Sequence, residues 1–344
     1  METVLRSYLS DNTAGASTEI LDAVVRAADG LAAPYGNDGL SKEMTEQFGA
    51  VFEHAVDVFP VTTGSAANGL ALAALTPPWG SILCHPDGHI TTDEAGAPEF
   101  FTDGAKITLV DGPGSKIDPE LLRAAVGRRR GDVHSVQPAV LSLTQVTETG
   151  SVYTLDELRE LSAIAHGAGL RVHMDGARFA NALVALGVTP AELTWRLGVD
   201  VLSFGATKNG AMTADAIVSF DPGLRTELAY RHKRGGQLTA KMRFQSAQLA
   251  AYLRDDLWLR NARQANAMAR RLADGLPERA DAAANILFCR FPVELSRALK
   301  ERGFAFYDDR WEPGTVRLVT SFAHRTEDID AFLTAVHELA PVVA

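Results

Sequence analysis

Lys208 stands in an unusual place for a lysine. The apolar run Val201-Leu202-Ser203-Phe204 reads as a strand, Gly205 and Ala206 end it, and Thr207 and Asn209 flank a single amine with Gly210 beyond. Most lysines are solvated surface charges. One delivered by small residues at the carboxyl end of a buried strand points instead into the crevice where open α/β sheets bind ligands. Desolvation there favours the neutral amine, the form that makes a Schiff base. An earlier run, Gly169 to Met174, ends in Asp175-Gly176-Ala177-Arg178. Neighbouring parallel strands bring their carboxyl ends together, so an amine, a carboxylate and a guanidinium would share one crevice. An ion pair between Asp175 and Arg178 is the plain alternative, but it does not explain why both strands end in charge.

Further stretches carry chemistry of their own. In Val61-Thr62-Thr63-Gly64-Ser65-Ala66-Ala67-Asn68-Gly69 a Gly-Ser turn opens a helix. Such a start offers free N–H groups and a positive dipole end to a phosphate, although an ordinary small-residue helix start looks the same. His85-Pro86-Asp87-Gly88-His89 follows a strand and runs into Thr91-Thr92-Asp93-Glu94, crowding imidazoles and carboxylates where solvated loop residues are the alternative. Arg317 alternates with Val316 and Leu318 in a late strand; it either snorkels at an edge or grips a carboxylate through two N–H groups. Taken together, the Gly64-Ser65 turn, His89, Asp175 and Lys208 describe a pyridoxal phosphate site. The lysine would bind the aldehyde, the aspartate would keep the pyridine nitrogen protonated, the turn would hold the phosphate, and the imidazole would cover the ring.

The elements that must position these residues follow from periodicity. Pro138 to Thr144, Gly169 to Met174 and Val199 to Phe204 are short apolar runs separated by helical patterns at Thr154 to His166 and Pro190 to Leu197. That is the rhythm of βαβ units and a parallel sheet with buried faces. Ala55 to Pro60, Ser81 to Cys84, Lys106 to Val110 and Ala214 to Phe220 add strands, while Glu19 to Ala32, Ser41 to Phe52 and Pro119 to Arg130 add helices. Phe244 to Asp274 reads as one long helix. From Ala284 the pattern becomes a smaller α+β unit, with strands Ile286 to Phe291 and Val316 to Thr320 and helices Val293 to Arg302 and Glu327 to Leu339. The expected division is an arm over 1–18, a large α/β domain over 19–255 and a small domain over 256–344.

Composition narrows the partners. At 344 residues, 46% hydrophobic and 22% charged, the chain can bury an ample core. Its net charge of −10 argues against nucleic acid or an anionic membrane as the main partner, since phosphate binding wants clustered basic surface. Arg128-Arg129-Arg130 reads as a solvated helix end, and the segment Arg231 to Arg243 as a solvated face or a local anion site. The two cysteines, Cys84 and Cys289, give neither a disulfide framework nor metal-ligand spacing and read as core thiols. With no apolar signal core and no bilayer-length apolar run, a soluble cytoplasmic protein without a metal is expected.

The motifs also resemble a family. Ser10-Asp11-Asn12, Tyr35-Gly36-Asn37-Asp38, Thr63-Gly64-Ser65-Ala66-Ala67-Asn68, the stretch His89 to Phe101, His173-Met174-Asp175-Gly176-Ala177-Arg178-Phe179, and Ser203 to Gly210 are jointly similar to the low-specificity L-threonine aldolases. Thr76-Pro77-Pro78-Trp79-Gly80 and Asp256-Leu257-Trp258-Leu259-Arg260-Asn261 resemble the bacterial branch that includes phenylserine aldolase. The resemblance implies a fold type I pyridoxal 5′-phosphate enzyme, with an aspartate aminotransferase-like large domain and a small α+β domain. It further implies a homotetramer built from dimers that share residues between active sites. By the same resemblance Lys208 would anchor the cofactor, Asp175 would face the pyridine nitrogen and His89 would stack on the ring. Gly64, Ser65 and Thr207 would lie at the phosphate with help from Arg243 and Lys233, and Ser10, Tyr35, Arg178 and Arg317 would serve the substrate or the cofactor's phenolic oxygen.

One departure matters. A larger branch of the family has a histidine in the loop after Pro138 to Thr144, facing the substrate hydroxyl, whereas this chain has Gln145-Val146-Thr147-Glu148-Thr149-Gly150. The group that receives the hydroxyl proton is then His89, Glu148 or a water they hold. The implied activity is retro-aldol cleavage of L-threonine, L-allo-threonine and phenylserine-type β-hydroxy-α-amino acids to glycine and an aldehyde. β-Elimination or transamination on the same scaffold is the alternative.

Overall fold

The computed structural model describes residues 6–278 and 280–343, the last three as backbone only, so that residues 1–5 of the expected arm lie outside the described residues. The expected rhythm folds into a seven-stranded sheet of β1 (Asp57–Val61), β2 (Gly80–Cys84), β3 (Lys106–Leu109), β4 (Gln137–Thr144), β5 (Arg171–Gly176), β6 (Val201–Phe204) and β7 (Asp215–Ser219), in the order β1-β7-β6-β5-β4-β2-β3. Every pairing from β6 through β5, β4 and β2 to β3 is parallel, and β7 runs antiparallel to both β6 and β1. β5 and β6 are direct neighbours, with Asp175 registered against Ser203. Met174, Leu202 and Phe204 are fully buried, as central strands covered on both faces require.

Helices cover the sheet with caps that the sequence supplies. Thr154 and Glu157 form a reciprocal capping box at the start of Leu155–Gly167, and Asp38 caps Gly39–Phe52 through Ser41 N. Helix Gly64–Leu75 is buried along nearly its whole length. A second, two-stranded antiparallel sheet pairs β8 (Ile286–Arg290) with β9 (Thr315–Val319). Its core joins Leu287, Leu318 and Phe332 to Tyr8 from the N-terminal segment and to Met268 and Leu272.

Some expectations need correction. The stretch Phe244 to Asp274 is not one helix but two, Arg243–Leu253 and Leu257–Gly275, joined through Arg254–Asp256. Asp255 and Asp256 both take left-handed backbone, at φ 52° and 55°, a conformation aspartate tolerates better than most residues. The break lets Arg243–Leu253 stay buried all round while Leu257–Gly275 turns Leu257 and Trp258 into the first core and Met268 and Leu272 into the second. The basic segment is largely helical, with Arg225–Arg234 closing into a turn at Gly235 and Gly236. Pro190 to Leu197 splits into Pro190–Leu193 and a 3₁₀ turn at Trp195–Leu197. Cys289 is half-buried rather than fully core, and burial pushes the thiols of both cysteines up to about 12.

Candidate active site

Beyond the carboxyl ends of β5 and β6 lies a cavity of about 270 Å³. Lys208, Asp175, Gly64, Ser65, His89, Glu148 and Thr207 all line it. Lys208 sits on a short 3₁₀ turn, Thr207–Asn209, and is half-buried. The turn is held from below: Asp215 Oδ1 accepts from Ala206 N at 2.7 Å and Thr207 N at 3.0 Å. Burial raises the pKa of Asp215 against the opposing pull of those N–H groups and of Lys208. From the other side Asn209 donates to Tyr252 Oη at 2.7 Å and to the Trp258 carbonyl at 2.8 Å. Gly210 follows at φ +122°, where Asn261 Nδ2 would lie 2.7 Å from an added Cβ.

Asp175 is aimed by two donors, Ala177 N on Oδ1 at 3.0 Å and Asn68 Nδ2 on Oδ2 at 2.9 Å. The same Asn68 amide donates to Glu94 Oε1 at 2.8 Å, and Glu94 Oε1 lies 2.7 Å from His89 Nδ1. A continuous polar chain therefore runs from Asp175 through Asn68 and the fully buried Glu94 side chain to His89. The bond to Glu94 raises the His89 pKa, with burial opposing and the Asp175 charge assisting. The stability this pairing contributes is complete below the ordinary imidazole pKa and is lost as pH rises through the raised value. Beneath Asp175, His173 is buried between Ser142 Oγ and Ser203 Oγ, each at 2.9 Å, and burial holds it neutral at a pKa of about 4.

Arg178 does not pair with Asp175. Its Nε donates to Asp11 Oδ2 at 2.7 Å and its Nη2 to Asp11 Oδ1 at 3.0 Å, with both side chains buried. Asn285 Nδ2 adds a bond to Asp11 Oδ2 at 2.9 Å, so segments far apart in sequence meet on one carboxylate. Burial works to raise the Asp11 pKa, but Arg178, Lys208 and these hydrogen bonds outweigh it and hold the carboxyl below the usual range. Arg317 is nearby; burial first and then the Arg178 charge depress its pKa, and its Nε is buried with no partner among the described residues. Removing one member of a buried pair strands the other charge, so Asp11→Ala should cost about 3–5 kcal/mol in denaturant unfolding at neutral pH. The Asp11 contribution is present above the ordinary aspartate pKa and is lost as pH falls through the depressed value, so the gap between wild type and variant should narrow in acid.

Other expected residues lie elsewhere. Ser10 is spent on its own turn, where its Oγ accepts from Asn12 N at 3.2 Å. Tyr35 is 46% exposed with Lys233 Nζ 4.8 Å from its ring centroid. Arg243 lies over Phe244 and donates to the Gly30 carbonyl at 3.3 Å. None of Ser10, Tyr35, Lys233 and Arg243 lines the Lys208 cavity, and neither do Arg178 and Arg317. His85 is structural, its Nε2 3.0 Å from the Gly112 carbonyl and its Nδ1 accepting from Asp87 N. The residues that sequence reasoning left unassigned are Asp11, Asn68, Glu94 and Asp215. Asn68 and Asp215 carry one visible mark, a polar side chain set among small or apolar neighbours, whereas Asp11 and Glu94 lie in polar stretches.

A family model described as Beta-eliminating lyase matches residues 8–285. The Low specificity L-threonine aldolase of Pseudomonas aeruginosa is 42% identical over 308 residues, covering 88% of this chain and 89% of that protein. The chain belongs to the low-specificity L-threonine aldolase family. More distant family members include the Saccharomyces cerevisiae protein of the same name, 25% identical over 83% of this chain and 74% of its own. Among solved structures, the threonine aldolase of Leishmania major superposes with a TM-score of 0.90 at 29% identity, covering 99% of this chain and all of that one. Cystalysin of Treponema denticola, at 13% identity, shares the fold with a TM-score of 0.72 over 99% of this chain and 92% of its own. The protein is a fold type I lyase.

Its cofactor is pyridoxal 5′-phosphate, and the residues present fit that group. Helix Gly64–Leu75 begins at the cavity, and because Thr63 caps Ala66 N, the Gly64 and Ser65 N–H groups are left without intrahelical partners. A side chain on Gly64 would meet nothing within 4 Å, so glycine there leaves the backbone open to an anion. Thr207 Oγ1, which also lines the cavity, is buried without a hydrogen-bond partner among the described residues. An amine, an oriented carboxylate and an anion cradle in one cavity are the donor set this cofactor needs.

Proposed function

We propose that this protein cleaves L-threonine and L-allo-threonine, together with phenylserine-type β-hydroxy-α-amino acids, to glycine and an aldehyde. The observation that carries this reading is the convergence of Lys208, Asp175 and the His89–Glu94 pair on one cavity beside the helix start at Gly64. When bound, pyridoxal 5′-phosphate supplies an electron sink for the charge that develops at Cα. Lys208 would anchor it, Asp175 would hold a proton at its ring nitrogen, and Gly64, Ser65 and Thr207 would take its phosphate. Arg178, oriented by Asp11, and Arg317, with its free Nε, would receive the substrate carboxylate. His89, whose pKa the Glu94 bond raises, would cover the ring and offer a donor to the substrate's β-oxygen. Incubation with threonine, allo-threonine and phenylserine in parallel, with glycine and aldehyde measured, tests the reading. A keto acid in place of glycine would assign the site to elimination or transamination.

His89→Ala should lower aldol cleavage about tenfold to a hundredfold, the worth of one hydrogen bond from a charged donor. Cofactor occupancy, read from the visible band, should fall less. Equal loss of both would reduce His89 to a binding residue. The protein further fits a homotetramer, a dimer of dimers, in which Tyr35, Lys233 and Arg243 serve a neighbour's cavity, since each lies away from its own. A fully active monomer in light scattering would refute that assembly.

A further inference from the structure

Cleavage of a β-hydroxy-α-amino acid needs a group to take the β-hydroxyl proton. His89 is already engaged: its Nδ1 lies 2.7 Å from the buried Glu94 carboxylate, and that bond raises its pKa, favouring the charged ring that donates rather than accepts. Glu148 differs in every respect. Its carboxylate makes no hydrogen bond among the described residues, and it borders two cavities at once. One is the Lys208 cavity; the other is a chamber of about 10 Å³ behind it, walled by His85, Asp87, Ser115, Ser142, Thr144 and Tyr153. Such a chamber is about the size needed for a single water molecule with polar partners. Its outer wall reaches solvent through Asp87, whose side chain is 53% exposed and accepts from Ser115 Oγ at 2.6 Å.

The loop after β4 is built to keep Glu148 in this position. Gln145 is fully buried and pairs with both backbone groups of Tyr153, donating to O and accepting from N, each at 3.0 Å. Thr147 Oγ1 lies 2.8 Å from Ser151 Oγ, and Thr149 Oγ1 bonds Ser115 Oγ at 3.0 Å. Arg178 and Arg317 both feel the Glu148 charge, so the carboxylate lies within electrostatic reach of the groups that would receive the substrate's own carboxylate.

We propose that Glu148 is the catalytic base for the β-hydroxyl and that the chamber behind it holds the water through which the proton exchanges with solvent. The step conserves atoms and electrons. The O–H bond breaks, its proton passes to a Glu148 oxygen, and the freed electron pair forms the aldehyde C=O as Cα–Cβ breaks. The Cα–Cβ pair stays with the glycine portion, which takes one proton at Cα, and no oxidant or reductant is consumed.

This inference rests on the aldolase reading, and two rates measured on holoenzyme separate them. Threonine cleavage needs the hydroxyl base, whereas exchange of the glycine α-hydrogen in D₂O, followed by NMR, does not. In Glu148→Gln, cleavage should fall about a hundredfold or more, while glycine exchange and the visible band of the cofactor persist. An equal fall in both rates would demote Glu148 to a positioning residue, and undiminished cleavage would place the base elsewhere. Thr144→Val, which removes a hydroxyl from the chamber wall, should also slow cleavage and leave exchange alone; unchanged cleavage would overturn the water route. Wild-type enzyme that exchanges glycine yet releases none from threonine would instead sink the aldolase reading itself.

Discussion

Lys208→Ala should abolish threonine cleavage and leave a protein that no longer carries the visible band of covalently held cofactor. The variant should nonetheless fold. Lys208 is half-buried, none of its neighbours depends on the amine for a hydrogen bond, and the turn that presents it is fixed by Asp215 from one side and by Asn209 and Asn261 from the other. Circular dichroism and thermal unfolding should match wild type to within the effect of one surface-type substitution. The amine is asked to supply a covalent anchor, which no neighbouring group can replace, since the next positive charges in the cavity region are guanidiniums that do not form Schiff bases. A visible band that survives the substitution would mean the cofactor is anchored by another amine, and the assignment of the site would fail.

Gly205→Ala should unfold or cripple the protein although it touches no reacting group. A Cβ at this position would lie 2.5 Å from the Ala177 carbonyl oxygen, 2.6 Å from its Cα and 2.7 Å from its carbonyl carbon. All three are backbone atoms, which cannot rotate aside as a side chain would. The strand ends must separate, and they carry Asp175 and Lys208, so the cost falls on stability and geometry together. Overpacking of a close-fitting site costs about 1–3 kcal/mol and sometimes more, and a displacement of roughly 1 Å at the reacting groups can cost about a hundredfold in rate. Denaturant unfolding and turnover should therefore both drop, in contrast to Lys208→Ala, where only turnover does. Wild-type stability and activity in Gly205→Ala would show that the β5 and β6 ends are not held at this separation.

Much of this site was legible in the sequence for a physical reason. Strands buried on both faces read as continuous apolar runs, so charges at their ends, Asp175 and Lys208, stand out, and the topology leaves them one place to meet. Gly64-Ser65 was legible because turn chemistry is local. Asn68 was not, since a polar residue inside a helix of alanines and leucines looks like a solvated position until the helix is found buried against Asp175 and Glu94. Asp11 was hidden for a similar reason: it belongs to a polar N-terminal segment, and its partners are separated from it by 167 and 274 residues. The helix break at Asp255 and Asp256 also escaped periodicity, because apolar spacing continues across it while the backbone does not. The plain alternative for Arg178 named the wrong partner, since sequence proximity favoured Asp175 whereas the guanidinium grips Asp11.

The carboxylate of Asp11 has a bearing on how the molecule comes into being. Arg178 needs Asp11 to be buried without penalty, and Asp11 in turn is completed by Asn285, whose amide also donates to the Thr320 carbonyl at 2.9 Å. Contacts of that sequence separation close large loops and are paid for late in folding. During synthesis the sheet that bears Lys208 and Asp175 emerges well before Asn285 does. The guanidinium proposed to grip the substrate is therefore completed late, and a chain cut short before β8 would keep the Lys208 turn while the Asp11 carboxylate that holds Arg178 lacks its bond from Asn285.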